Sequence, residues 1–177
     1  MAIRKCVVAV PARLQSSRLP NKVLADIGGK PMIQRVLERC REAQRLEAVV
    51  LCTDSSELKA LAEGWGFPVL MTAESCSSGS ERIASVAHSL LALAWGDAEP
   101  VAEETAVINV QGDQPFIDPA VIDAMAEEFQ RRAPVPAVVT PVYGLKPDSV
   151  HNPNVVCLLY TSPSPRDLST SRMPSSA

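Results

Sequence analysis

Aromatic side chains and long apolar runs are both scarce in this sequence of 177 residues. Phe, Trp and Tyr together make up 4% of the chain, and the longest apolar run covers only residues 90–95. A membrane-spanning helix needs roughly 20 apolar residues, so we expect no membrane partner. Since Met1 is not followed by an apolar region with a small-residue cleavage site, no secretory signal is visible and we expect a cytoplasmic location.

Several common functional motifs are also missing. The five cysteines are odd in number and have no CxxC spacing, which argues against a disulfide framework and a zinc site. Neither GxxxxGK[ST], GxGxxG nor GxSxG occurs, so P-loop, dinucleotide-binding and hydrolase interpretations lose their main support. The net charge of −3 predicts no nucleic-acid partner, because a polyanion could bind only to a local cluster of basic residues.

The chain does contain a regular alternation of two apolar patterns. Stripes with helical i, i+3, i+4, i+7 spacing begin at Ile33, Leu58 and Ile83. Short β-branched runs, typical of strands buried on both faces, lie at residues 7–10, 49–52, 69–71, 107–110 and 138–139. This order predicts an α/β fold, with a mostly parallel sheet flanked by helices and ligands at the carboxyl ends of the strands.

Local signals predict where the helices begin. Pro31 suits a first helical position, and Asp54 has capping-box spacing to Glu57. Asp118 followed by Pro119 predicts an N-cap and a proline at the first helical position.

The pattern ends before residues 157–177, which are rich in Ser, Pro and Thr and have no usable periodicity. Such composition is typical of disorder. It fits a natural linker or the translation of a sequencing adapter, and we favour the adapter because the change is abrupt after Val156. We therefore expect an incomplete, C-terminally truncated catalytic domain at residues 1–156 and a disordered, non-native tail at residues 157–177.

The strongest chemical signal follows the first predicted strand. Two arginines, a lysine and two serines lie between Arg13 and Lys22. At a strand's carboxyl end, such groups can donate charge-assisted hydrogen bonds to phosphate oxygens. A solvated basic loop paired with surface acids remains an open alternative.

A second segment, residues 110–115, follows a later strand and places Asp113 just after Gly112. A carboxylate there is suited to Mg²⁺, which prefers oxygen ligands. The alternative is a tight turn in which Gly112 has a positive φ and Asp113 bonds to the local backbone.

A third segment, residues 77–82, precedes the helix of Ile83. Gly79 permits close backbone approach there, and helix N-terminal amides favour anions. Taken alone, this segment is better interpreted as an ordinary N-cap. Residues 152–154 have the composition of a plain turn.

In order and spacing, these segments resemble the 3-deoxy-manno-octulosonate (Kdo) cytidylyltransferases. The resemblance covers residues 4–156 and is carried by residues 11–13, 16–22, 26–32, 53–54, 78–82, 109–113 and 152–155. It implies a Rossmann-like nucleotidyltransferase fold and the reaction of CTP with Kdo, giving CMP-Kdo and pyrophosphate for lipopolysaccharide synthesis. Mg²⁺ is the implied cofactor, CTP and Kdo are the implied small-molecule partners, and the intact protein is expected to be a homodimer.

The resemblance also implies roles for individual residues at matching positions. These are Arg13, Ser16 and Lys22 for the CTP phosphates, Ser78, Gly79 and Ser80 for cytosine, and Gln111 and Asp113 for the sugar and the metal. The catalytic set would then be Arg13, Lys22, Gln111 and Asp113, with Asp113 as the metal ligand.

Three departures from the family pattern affect these expectations. Gln114 stands where the family usually has glutamate, and Ser80 stands where threonine is common. The family's C-terminal part, which supplies sugar contacts, a second metal-binding aspartate and much of the dimer interface, is not matched, so we expect very low activity. The alternatives are another sugar nucleotidyltransferase, such as the sialic-acid type, and a nucleotide-binding fragment without catalysis.

Overall fold

A computed structural model describes residues 2–15 and 20–141 of the protein. The strands of this part are β1 (Lys5–Ala12), β2 (Ala48–Thr53), β3 (Val69–Met71) and β4 (Thr105–Asn109). Its helices are α1 (Met32–Arg41), α2 (Ser56–Gly64), α3 (Gly79–Ser85), α4 (Ala87–Trp95) and α5 (Pro119–Arg131), and short 3-10 turns cover Lys22–Leu24 and Ala102–Glu104. The predicted Asn152 turn, the boundary at residue 156 and the predicted tail lie outside the described residues.

Within the described ranges, the strands form one parallel sheet in the order β3-β2-β1-β4. In the register, Ala12 pairs with Thr53 and Ala9 pairs with Asn109. The carboxyl ends of all strands therefore meet at one edge of the sheet, which confirms the predicted α/β architecture.

Helices cover both faces of this sheet because the interior strand β1 is apolar on both of its faces. Val8 and Val10 face the core formed with α1, α2 and α5, while Val7 and Ala9 face the core formed with α3 and α4. These four β1 side chains are completely buried. None of the helices in the described part is long and apolar enough to cross a membrane.

The predicted fifth strand at residues 138–139 is wrong. Both residues are irregular, and Val138 is 71% exposed. The segment carries prolines at positions 134, 136 and 141, which lack the amide hydrogen that a sheet ladder needs. A two-residue apolar run is too weak a signal to overcome this.

The apolar stripe that begins at Ile83 belongs to two helices rather than one. The break is at Val86, whose φ of −118° and ψ of 17° leave the helical region. The hydroxyl of Ser85 donates a 2.8 Å hydrogen bond to the carbonyl of Arg82, a local bond that competes with helix continuation. Ile83 and Leu90 still face the same core, which explains why the stripe looks continuous.

Two of the predicted helix starts are displaced by one residue. Pro31 is the N-cap rather than the first residue of α1. The N-cap of α2 is Ser55, whose hydroxyl accepts a 3.2 Å hydrogen bond from the Leu58 amide. Asp54 is therefore not the predicted cap. The predicted N-cap at Asp118, with proline at the first position of α5, is confirmed.

Candidate functional site

The carboxyl edge of the sheet carries an open cleft of about 590 Å³. Segments that follow β1 and β4 and the start of α3 form its walls. The lining residues are Pro11, Ala12, Arg13, Gln15, Lys22, Val23, Cys76, Ser77, Ser78, Gly79, Arg82, Gln111, Gly112 and Asp113. Three segments that are far apart in the sequence therefore meet at one place.

Six of the eight site residues predicted from the sequence line this cleft. They are Arg13, Lys22, Ser78, Gly79, Gln111 and Asp113. Ser80 is exposed on the first turn of α3 and is not among the lining residues. Ser16 lies outside the described residues, so its predicted role stays a prediction.

The described residues on either side of positions 16–19 lie close together after β1. The amide of Asn21 donates a 3.1 Å hydrogen bond to the carbonyl of Leu14. Asn21 has a φ of 55°, in the left-handed region that asparagine tolerates better than most residues. The 3-10 turn begins directly afterwards, and buried Val23 anchors it beside Lys22. Lys22 is thereby brought back to the same edge as Arg13.

Lys22 and Asp113 form an ion pair across the cleft, with 2.7 Å between Nζ and Oδ2. Their side chains are 40% and 47% exposed, so water screens the pair and its contribution to stability is about 0–1 kcal/mol. The carboxylate is thus oriented toward a cation within the cleft, and both groups remain accessible to a ligand.

Gly112 allows the segment that contains Asp113 to pack closely against β1. A Cβ at Gly112 would lie 3.1 Å from the carbonyl oxygen of Pro11 and 3.1 Å from Cδ1 of Ile33. Gly112 and Asp113 do lie in a tight turn, in which the Gln114 amide donates a 3.1 Å hydrogen bond to the Gln111 carbonyl. The expected positive φ at Gly112 is wrong, because its φ is not in the left-handed region. The glycine is needed because the two backbones approach closely. Gln111, the residue before Gly112, donates a 2.9 Å hydrogen bond to the Asn109 side chain.

The third wall begins with the predicted N-cap, which is confirmed at Ser78. Its hydroxyl accepts a 3.1 Å hydrogen bond from the Glu81 amide. In return, the Glu81 carboxylate accepts hydrogen bonds of 2.5 Å and 2.7 Å from the hydroxyl and amide of Ser77. These bonds favour the ionised carboxylate and lower the pKa of Glu81. A Cβ at Gly79 would lie 3.0 Å from Cγ of Pro11, which shows how closely α3 approaches β1.

A buried ion pair that includes Arg82, one of the lining residues, was missed in the sequence. Arg82 Nη2 lies 2.6 Å from Asp54 Oδ2, and the two side chains are 4% and 15% exposed. Arg82 also donates a hydrogen bond to the hydroxyl of Thr72. The position of Asp54 directly after β2 was the available signal, because a strand's carboxyl end is where site residues gather.

The core cysteines (Cys6, Cys40 and Cys52) are not suited to nucleophilic chemistry. Burial raises the pKa of Cys6 to about 11 and the pKa values of Cys40 and Cys52 to about 12. Their thiols therefore stay protonated at neutral pH.

Among residues 2–15 and 20–141, no group of three or more His, Cys, Asp or Glu side chains could hold a metal ion. Asp113 fits Mg²⁺ in another way. Its exposed carboxylate already faces the ammonium group of Lys22. Mg²⁺ is commonly held by one or two carboxylates together with substrate phosphates.

Comparisons with known proteins show which proteins this chain is similar to. The chain is 42% identical to a 3-deoxy-manno-octulosonate cytidylyltransferase of Idiomarina loihiensis over 151 residues, which are 84% of this chain and 55% of that protein. The enzyme of the same name from Cellvibrio japonicus is 41% identical, with 84% and 54% covered. The chain thus spans about half the length of the curated relatives it matches.

Solved structures with the same fold include a CMP:2-keto-3-deoxy-manno-octonic acid synthetase complexed with CTP. It is 35% identical, has a TM-score of 0.60, and the match covers 70% of this chain and 46% of that one. A 4-diphosphocytidyl-2C-methyl-D-erythritol synthase, 16% identical with a TM-score of 0.56, shares the fold, and the match covers 73% of this chain and 56% of that one. The family profile described as "Cytidylyltransferase" matches residues 7–176. With most of its length matched and its cleft at the same edge of the sheet as predicted, the chain belongs to the cytidylyltransferase family.

Proposed function

We propose that the chain is the nucleotide-binding part of a 3-deoxy-manno-octulosonate cytidylyltransferase. The reaction joins the CMP portion of CTP to Kdo and releases pyrophosphate. The observation that carries the proposal is the meeting of Arg13, Lys22 and Asp113 at one cleft, in a chain about 40% identical to relatives of that name.

Arg13 and Lys22 are suited to bind the triphosphate. Both line the cleft beside the end of β1, and their cationic groups can donate charge-assisted hydrogen bonds to phosphate oxygens. In the reaction, the anomeric hydroxyl of Kdo attacks the α-phosphorus and pyrophosphate leaves. These cations would stabilise the negative charge that builds up on the leaving group.

Asp113 is proposed to hold Mg²⁺ together with the nucleotide. When bound there, Mg²⁺ would neutralise phosphate charge and orient the triphosphate. Gln111, on the same segment, would face the sugar, and the turn of Ser78 and Gly79 would contact cytosine. Ser80 would take part only if its exposed hydroxyl turned into the cleft.

The position of the cleft favours catalysis by alignment. Its walls are fixed to one sheet edge by β1, by the close approach of Gly112 and by the capped start of α3. Such rigid walls can hold two substrates so that the attacking oxygen and the phosphorus are already aligned. A covalent enzyme intermediate is not required.

A substrate panel tests the proposal. Pyrophosphate release is measured with CTP or UTP as the nucleotide and with Kdo or a sialic acid as the acceptor, in the presence of Mg²⁺. Calorimetry measures CTP binding in the same buffer. We expect CTP to bind and the pair of CTP and Kdo to give the highest rate, although that rate is low. Preference for the sialic acid, or for UTP, would contradict the proposal.

The Asp113→Asn variant is the matched test of the metal role, because it keeps the shape of the side chain and removes its charge. We expect CTP to bind more weakly in Mg²⁺, with little change when Mg²⁺ is replaced by EDTA. Equal Mg²⁺ dependence in the wild type and the variant would exclude Asp113 as the ligand. We also propose that the intact protein is a homodimer and that it is cytoplasmic. Sedimentation of a full-length relative tests whether the protein forms a dimer.

A further inference from the structure

Arg82 lines the cleft, but the buried pair that it forms with Asp54 has no role in the chemistry proposed above. Asp54 directly follows β2, Thr72 directly follows β3, and Arg82 lies on α3. The guanidinium of Arg82 bonds to both of the other side chains. One arginine therefore connects the carboxyl ends of two strands to the helix that begins at the cleft.

Stability alone explains such a pair poorly. Both side chains are largely removed from water, and the cost of desolvating two charges offsets much of their attraction. Apolar side chains of similar size often serve equally well at buried positions. What a charged pair adds is a defined direction, because the planar fork of arginine fixes where its partners lie.

Arg82 is also close in the chain to the residues of the third wall. Arg82 lies one helical turn after Ser78, and its backbone amide donates a 3.0 Å hydrogen bond to the Ser78 carbonyl. Gly79 approaches Pro11 so closely that an added Cβ would be 3.0 Å from Cγ of the proline. A small rotation of α3 would therefore change the close contact between Gly79 and Pro11, both of which line the cleft.

We propose that Arg82, held by Asp54 and Thr72, is a positioning residue that sets the turn of Ser78 and Gly79 for recognition of the nucleotide base. This inference rests on the proposed function, in which that turn contacts cytosine. Loss of the Arg82 fork would leave the phosphate side of the cleft intact, because Arg13 directly follows β1 and Lys22 begins the 3-10 turn that buried Val23 anchors.

Three ligands separate these effects. Calorimetry measures the dissociation constants of CTP, UTP and inorganic tripolyphosphate in Mg²⁺ for the wild type and its variants. Tripolyphosphate reports on the phosphate side alone, and the ratio of the CTP and UTP constants reports on base recognition.

The variants are chosen so that unfolding cannot imitate the result. Arg82→Met leaves Asp54 buried without its partner, whereas the Asp54→Leu/Arg82→Met double variant removes both charges and leaves similar volume. Arg82→Lys keeps a positive charge but loses the fork. Arg131→Met is the control, because Arg131 is an exposed arginine that pairs with Glu128 on the same helix.

We expect the preference for CTP over UTP to fall at least tenfold in the double variant and in Arg82→Lys. The dissociation constants of tripolyphosphate for these variants and for the control should stay within twofold of the wild-type value. A folded double variant with the wild-type preference would overturn the inference. If the wild type itself does not distinguish CTP from UTP, the proposed function fails and the inference falls with it.

Discussion

Replacing Gly112 by alanine tests whether the Asp113 segment is held in place by close packing. The new Cβ would lie 3.1 Å from the Pro11 carbonyl oxygen, 3.1 Å from Cδ1 of Ile33 and 3.2 Å from Cβ of Ala12. All three distances are shorter than ordinary van der Waals contact. The Pro11 carbonyl belongs to β1 and Ile33 is completely buried, so neither group can move without disturbing the core.

Two effects of opposite sign decide the outcome. Alanine reduces the conformational freedom of the unfolded chain and thereby stabilises the fold by about 0.4–1 kcal/mol. Overpacking a buried position costs about 1–3 kcal/mol. We expect the steric cost to win, with a net loss of about 1–2 kcal/mol and a melting temperature lowered by roughly 2–8 °C.

Gly64 provides the matched control for this substitution. It is the last residue of α2, is exposed, and an added Cβ would meet nothing within 4 Å. Gly64→Ala is therefore expected to raise the melting temperature, because only the entropic effect remains. Thermal unfolding followed by circular dichroism measures both variants. A Gly112→Ala protein as stable as Gly64→Ala would refute the packing argument.

Other predictions follow from the charged and titratable groups. Lys22→Met should change the melting temperature by less than about 4 °C, because the ion pair of Lys22 with Asp113 is half exposed. Calorimetry should nevertheless show CTP binding weakened about 10- to 100-fold, because a charge-assisted hydrogen bond to phosphate is lost. Unchanged affinity would contradict the phosphate role of Lys22. Glu81→Gln should lower stability at neutral pH. Because folding lowers the pKa of Glu81 below its usual 4.5, the difference from the wild type should disappear as pH falls through the folded pKa, and a difference that grows in acid would contradict this cause. Iodoacetamide should label the three core cysteines only after denaturation, as peptide mass spectrometry can show; labelling of the native protein would contradict their burial.

The sheet could be predicted from the sequence because its signals are local. The central strand is apolar on both faces, so residues 7–10 stand out without any knowledge of their partners. The start of α5 was also predictable, since Asp118 and the following proline act on adjacent backbone groups. The division at Val86 could not be read from periodicity, because α3 and α4 bury the same stripe.

The candidate site was predictable only in part. Strand ends converge in a parallel sheet, and this rule brought Arg13, Lys22 and Asp113 to one edge. The partnership of Asp54 with Arg82 joins residues 28 positions apart. Capping spacing assigned Asp54 to a helix start, but Ser55 takes that place and frees the carboxylate for Arg82. Long-range pairing of this kind depends on how the helices pack and has no local pattern.

The most direct test of a triphosphate site at the carboxyl edge is a titration of ¹⁵N-labelled protein with CTP and Mg²⁺, followed by amide chemical shifts. We expect the signals of Arg13, Lys22, Gly79 and Asp113 to move together and to saturate at one ligand concentration. A second pocket is lined by Arg41, Phe67 and Pro68, just before β3. Shifts confined to that pocket, or no shifts at millimolar CTP, would contradict a triphosphate site at the carboxyl edge.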